Sequence, residues 1–250
     1  MSLLKDTKDF YESHWREREE AQRLHTLTGM WLPPRIKIAI SMIMTERKGN
    51  ISLLDVGCGE GALGKILRQQ LEGKLYLVGV DISGTALRHA SQYYDKVIEA
   101  NIEMDDLTQA LPEKQFDYIV CLEVLEHLFE PSNVLKQVKR FLKKEGFLVA
   151  SFPNIAFWKY RLDLLKGAFP KEYTLSSPSE HIQNFTLHSF VQLLEENDFQ
   201  PVGVDGQYVG PRFLRPRRLF MPILEKFPNL FGYQLVIKAK LEERSAGNWR

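Results

Sequence analysis

The stretch Leu53–Leu67, "LLDVGCGEGALGKIL", decides the fold. An apolar run carries Asp55 near its end, glycines follow at alternate positions (Gly57, Gly59, Gly61), and a segment with helical spacing begins at Ala62. Glycines after a strand make a tight turn into a helix, where a ligand can approach the backbone closely. By itself such a loop suits many nucleotide-type ligands. Ala62 can even stand in for the third glycine of the GxGxxG loop that holds dinucleotides. Asp55 separates the alternatives, because an ionised carboxylate repels a pyrophosphate at short range and attracts a ligand carrying positive charge.

Working outward, short apolar runs alternate with helical stretches: "ISLLDV", "LYLVGV", "KVIEA", "FDYIVCL" and "FLVASF", with "ALGKILRQQL" and "NVLKQVKRFL" between them. Near-continuous apolar runs are what strands covered on both faces require, so the pattern predicts an α/β chain with a parallel sheet. At the end, "FQPVGVDGQYV" and "YQLVIKAKL" predict two strands joined by a Pro, Arg and Phe-rich insert with no crossover helix, hence an antiparallel last strand. Upstream, a charged segment from Asp6 to Leu27 and the stretch "PPRIKIAISMIMTE" read as two helices capping the sheet, the second striped by Ile36, Ile40 and Ile43 or Met44. The expected layout is a helical cap over residues 1–48, a core domain over 49–241 with substrate-side insertions at 154–185 and 208–231, and a tail at 242–250.

With 250 residues, 44% of them hydrophobic, the chain can bury a full core. Its formal charge of +1 lacks the global basic footprint of a nucleic-acid binder. Cys58 and Cys121 fit neither a disulfide framework nor a zinc spacing and read as reduced thiols. No apolar run approaches the ~20 residues that span a bilayer, which makes a cytoplasmic protein the expectation.

S-adenosylmethionine, with its ammonium and sulfonium, is the kind of ligand Asp55 favours. Asp81 closes the second strand twenty residues beyond Gly61, where a carboxylate can accept from both ribose hydroxyls. At this point "LLDVGCGEG", "VGVD", "ANIE", "FDYIVCLEVLEHL" and "LKKEGFLVASFPN" resemble the class I S-adenosylmethionine-dependent methyltransferases over Ile51 to Asn154. The resemblance implies a Rossmann-like, seven-stranded, mostly parallel sheet with helices on both faces. It further implies a cofactor site made by Asp55, Gly57, Cys58, Gly59, Gly61, Asp81, Ile82, Asn101, Ile102, Leu122 and Glu123. In it the glycines line the methionine moiety, Asp81 holds the ribose, and Asn101 with Ile102 flank the adenine. Asn101 stands where an aspartate is commoner, and its side-chain oxygen can still accept from the adenine amino group.

A second constellation follows the fourth strand in "LEVLEHLFEPSNVL". If a helix has begun by Glu123, then Glu123, Glu126 and His127 share one face and can bind a divalent cation or supply a base. Joined to S-x-P-N and to His181 in "SEHIQNFTLHSF", the pattern resembles the ubiquinone-biosynthesis O-methyltransferases and the small-RNA 2′-O-methyltransferases. In the second group two glutamates and two histidines hold magnesium or a similar ion, which implies Glu123, Glu126, His127 and His181 here. His127 and His181 are also the candidate general bases, since imidazole titrates near neutral pH. His188 is expected to face solvent. "SFPNIAFWKYRLDLLKG" resembles the MetW group as well, which keeps a non-catalytic cofactor-binding protein among the readings.

The expected activity is methyl transfer to an oxygen of a small-molecule acceptor, with an RNA 2′-hydroxyl as the alternative. Arg212, Arg215, Arg217 and Arg218, interleaved with Phe213, Leu214 and Phe220, leave a phosphate-bearing substrate, a membrane surface or RNA open as contacts of the last insert. Tyr11 and Trp15, at i and i+4, either anchor the first helix to the core or close over the cofactor.

Overall fold

Strand β1 (Ile51–Val56) runs up the middle of the sheet, parallel to β2 (Leu75–Asp81) on one side and β4 (Phe116–Leu122) on the other. Adjacent residues of β1 point to opposite faces, yet Leu53 and Leu54 are both fully buried. Burial on two faces is why the strands read as unbroken apolar runs. The structure is a computed structural model that describes residues 7–16, 32–45, 50–71, 74–111, 115–170, 181–211 and 217–242.

Seven strands form one sheet in the order β3-β2-β1-β4-β5-β7-β6. Here β3 is Lys96–Glu99, β5 Leu142–Pro153, β6 Phe199–Tyr208 and β7 Gly232–Leu241. β7 slots between β5 and β6, antiparallel to both, and the other strand pairs are parallel. This is the Rossmann-like sheet expected from the sequence. Its β6–β7 connection carries two helices, α8 (Arg217–Lys226) and α9 (Pro228–Phe231), and since β6 and β7 are antiparallel neither is a crossover of the usual kind. Pro222 inside α8 masked the helical pattern, since proline removes one backbone donor from a helix.

One face of the sheet is covered by α2 (Pro34–Met44), α3 (Ala62–Gln70) and α4 (Gly84–Ala90), which bury Ile36, Ile40, Ile43, Leu63, Leu67 and Leu87. The opposite face is covered by α5 (Pro131–Lys139) and α7 (Leu187–Glu196) through Val134, Leu135, Val138, Phe190 and Leu194. α7 starts at Thr186 in a capping box with Ser189, a local signal that sets its first turn. Beneath α2, the buried Lys238 on β7 donates to Met42 O at 3.0 Å and lies over the Phe147 ring at 4.1 Å. A buried ammonium is tolerable here because the last turn of α2 and an aromatic face both present negative charge to it.

Residues 7–16 form the described part of helix α1, and α6 (Trp158–Leu165) follows β5. The expected helix over 17–27, Tyr173 to Pro178, Arg212, Arg215 and the tail from 243 lie outside the described residues. None of the described helices is long and apolar enough to cross a membrane.

Candidate active site

Every strand-to-helix loop of interest opens at the carboxyl edge of the sheet, where β1 and β4 lie side by side. Parallel strands deliver their loops to one edge, and an open α/β sheet binds ligands there. The glycine loop leaves β1 through Gly57 (φ 74°), Gly59 (φ 51°) and Gly61 (φ 84°). A Cβ at Gly57 would sit 2.4 Å from Val124 Cγ2, and one at Gly61 2.9 Å from Ala90 Cα. Left-handed backbone and contact on the Cβ side together leave only glycine at these positions. Cys58 is buried under the loop, and its amide, like that of Gly57, donates to Val80 O.

Asp81 closes β2 and ties the loops together: Oδ2 accepts from Gly59 N at 2.8 Å and Oδ1 from Ser83 N at 3.0 Å. Each oxygen keeps a lone pair for a further donor. Burial pushes its pKa above the ordinary carboxylate value, against the pull of those amides. The neighbouring Ile82 is half-buried. Asn101 stands just past β3 with Oδ1 already accepting from Glu103 N at 3.1 Å, while Ile102 packs on the core beside it. The side-chain oxygen expected to be free for an adenine amino group is thus engaged by a local turn, with one lone pair to spare.

Asp55 has a different setting from the one its charge suggested. The carboxylate is buried under the glycine loop and accepts a short hydrogen bond from Tyr94 Oη, whose oxygen in turn accepts from Gly64 N. Burial raises its pKa to about 7, with Asp81 adding to the rise and the Tyr94 hydrogen bond opposing it. Near neutral pH it is therefore ionised only in part, and any pull on a cation is exerted from below the loop. The raised folded-state pKa means that its contribution to stability is full below pH ~4 and is lost as pH rises through about 7. Thermal melting of Asp55→Asn beside the unaltered chain should show the variant gaining relative stability between pH 5 and pH 8. The upper bound is about 4 kcal/mol for a shift of roughly three units. A pH-independent difference would refute this titration.

The second cluster needs one correction. Glu123, Glu126 and His127 do not share a helix face. Glu123 adopts φ 57°, and only a single 3-10 turn, Leu125–His127, follows it. The Glu123 carboxylate lies outside the group formed by Glu126 and the two histidines. Its Oε1 accepts from Ser151 Oγ at 3.1 Å on β5, which explains the serine of S-x-P-N. Glu123 also bonds Gln234 and faces the charge of Arg35; burial raises its pKa and Arg35 opposes the rise. Leu122, half-buried, closes β4 beside it.

Glu126 is fully buried and neither of its carboxylate oxygens has a hydrogen-bond partner. One ligand atom from each of Glu126, His127 and His181 lies within 4.8 Å of the others. The backbone explains how a residue so distant in sequence arrives. Glu126 O accepts from both Ile182 N and Gln183 N at 2.9 Å, and Ile155 N donates to Phe185 O at 2.9 Å, so the 181–186 segment is zipped onto the β4 and β5 ends. The rings of His127 and His181 stand 4.9 Å apart. Burial, then the neighbouring His127, lower the pKa of His181 to about 4, so it is a neutral imidazole at pH 7. Burial and the charge of Glu123 drive Glu126 well upward. His188 is exposed on α7, as expected. Of the four implied metal ligands the fold brings three together, and Glu123 stands apart in a neighbouring set with Arg35.

Arg35 was missed by sequence reasoning. Its one signal was position, as the first charged residue after Pro33-Pro34 at the start of α2. A cavity of about 510 Å³ opens elsewhere, flanked by α2 and α3 and lined by Lys37, Ser41, Met44, Ile66 and Gln70; none of the candidate residues borders it.

A seven-stranded sheet of this order, with a glycine loop on β1 and a carboxylate closing β2, defines a class of protein that binds an adenosyl ligand at the sheet edge. The profile of the family described as "Methyltransferase domain" matches residues 16–204. The chain belongs to that family and is a class I S-adenosylmethionine-dependent methyltransferase. It is 25% identical over 220 residues to the ubiquinone biosynthesis O-methyltransferase of Glaesserella parasuis serovar 5, covering 78% of this chain and 89% of that one. A relative with the same name from Pseudomonas fluorescens Pf0-1 is 30% identical over 147 residues, 56% of this chain and 57% of its own length. Among solved structures, the magnesium protoporphyrin IX methyltransferase of Synechocystis PCC 6803 with bound S-adenosylhomocysteine has the same fold, with TM-score 0.61 and 16% identity over 96% of this chain and all of that one.

Proposed function

We propose that the protein transfers the methyl group of S-adenosylmethionine to a hydroxyl oxygen of a small-molecule acceptor. The observation that carries this reading is the buried, unpartnered Glu126 carboxylate beside His127 and His181 at the end of β4. A carboxylate and two imidazoles suit a divalent cation such as magnesium, manganese or zinc, and an orphaned buried carboxylate fits a missing positive partner. When bound, such an ion supplies a Lewis acid that lowers the pKa of a coordinated hydroxyl.

The chain's own residues do the rest. Gly57, Cys58, Gly59 and Gly61 let the methionine moiety lie against the backbone, and Asp81 accepts from the ribose hydroxyls. Ile82, Asn101 and Ile102 border the adenine, Leu122 the sulfonium side. Arg35 and Glu123, of opposite charge, suit the carboxylate and ammonium of the methionine end. In-line displacement at a sulfonium mainly needs alignment and exclusion of water, and a deprotonated acceptor completes it. His181, neutral at pH 7, or His127 can take up the hydroxyl proton where no ion engages its ring nitrogen. The names of the curated relatives favour an oxygen acceptor, and the formal charge of +1 disfavours RNA.

The test is release of S-adenosylhomocysteine across a panel of hydroxylated aromatic acceptors and short RNAs, with and without chelator. Turnover of a phenolic acceptor that a chelator suppresses is expected. Cofactor binding without turnover of any acceptor would instead favour a MetW-like partner protein.

A further inference from the structure

Helix α1 touches the loops at the carboxyl edge of the sheet through one of its faces. Lys8, Tyr11, Glu12 and Trp15, spaced i, i+3, i+4 and i+7, share one face. The Trp15 ring lies against Gly59, so that a Cβ there would come within 2.9 Å of Cζ2. Glu12 reaches the start of α4, next to Asp81: Oε1 accepts from Gly84 N at 2.7 Å and Oε2 from Thr85 Oγ1 at 2.6 Å. Lys8 pairs with Glu99 at the end of β3. Tyr11 meets His127 edge to face, 6.3 Å between centroids. One helix face thus contacts the loops after β1, β2 and β4 and the end of β3.

The nature of these contacts matters as much as their position. No residue of the described part of α1 is buried, whereas α2 buries Ile36, Ala39, Ile40 and Ile43. A helix held by polar latches and ring edges, without a buried apolar stripe, opens at low cost compared with one docked in the core. Tyr11 and Trp15 rest on His127 and Gly59, at the carboxyl edge of the sheet.

Resting on the cofactor reading above, we infer that α1 is the outer wall of the S-adenosylmethionine pocket, latched by Glu12 and Trp15, and that cofactor and product exchange only when it lifts. Trp15 closes the glycine-loop side and the Glu12 latch holds the wall over the ribose side. Tyr11 joins the closed wall to His127, so the acceptor-side cluster meets its full surroundings only when the cofactor pocket is shut. Closure of this kind also excludes water from the methyl donor.

The experiment measures S-adenosylhomocysteine association and dissociation by stopped-flow on the full chain and on Trp15→Ala, Trp15→Phe and Glu12→Gln, with thermal melting as the fold control. Because entry and exit both wait for the wall to lift, Trp15→Ala should speed dissociation at least about tenfold and should not slow association. Glu12→Gln should speed it severalfold, and Trp15→Phe should recover much of the loss. Unchanged dissociation in Trp15→Ala and Glu12→Gln, with the unaltered chain binding normally, would overturn the wall. Tighter binding by Trp15→Ala would also overturn it, since the ring would then compete with the ligand. Failure of the unaltered chain to bind S-adenosylhomocysteine would defeat the cofactor reading itself, and this inference with it.

Discussion

Asp81→Ala is expected to cost S-adenosylmethionine and S-adenosylhomocysteine binding about 100-fold or more. Two losses combine. The ribose hydroxyls lose a charged acceptor, with each charge-assisted hydrogen bond contributing roughly 1.5–3 kcal/mol. In addition the Gly59 and Ser83 amides lose the carboxylate that holds them at 2.8 and 3.0 Å, so the glycine loop is no longer tied to β2. Asp81→Asn keeps one acceptor oxygen and should fall between the two. Calorimetric titration with S-adenosylhomocysteine measures both variants, and an Asp81→Ala affinity within about threefold of the unaltered chain, well inside one such bond, would refute the ribose role.

Glu126→Leu should move activity and stability in opposite directions. An unpartnered buried polar group costs about 1–3 kcal/mol, and leucine removes it at similar volume. In a chain of this size each kcal/mol is worth about 2–4 °C, so the metal-free variant should melt several degrees higher. Methyl transfer should drop about 100-fold or more, the scale of a lost base or metal ligand. Magnesium, manganese or zinc should raise the melting temperature of the unaltered chain and leave that of the variant unchanged. A variant that melts lower and still responds to metal would remove Glu126 from the site. Stability traded against function in this way is what buried, unsatisfied groups at active sites produce.

Much of the fold was legible because its signals are local or periodic. Paired burial of neighbours such as Leu53 and Leu54 appears in sequence as an unbroken apolar run, and the glycines announce the turn by their spacing. The capping box at Thr186 and Ser189 is equally local. The site was legible only in part. A shared face for Glu123, Glu126 and His127 depends on a helix begun by Glu123, and nothing in "EVLEH" announces that this glutamate takes a left-handed backbone instead. Its partners Ser151, Gln234 and Arg35 come from three separate segments. Likewise the pairing of Asp55 with Tyr94 spans thirty-nine residues, so the sequence shows the carboxylate without the burial that brings its pKa near 7.

What the sequence determined by itself is the class of sheet, the place of the glycine turn and the family of the chain, because apolar period and glycine spacing act over a few residues. Tertiary structure decided which groups meet. It delivered His181 to Glu126 and His127 through two backbone hydrogen bonds, left Glu123 outside that group, and laid α1 across the glycine loop and the start of α4. These are contacts between segments tens of residues apart, and burial there sets both the geometry and the protonation of each group.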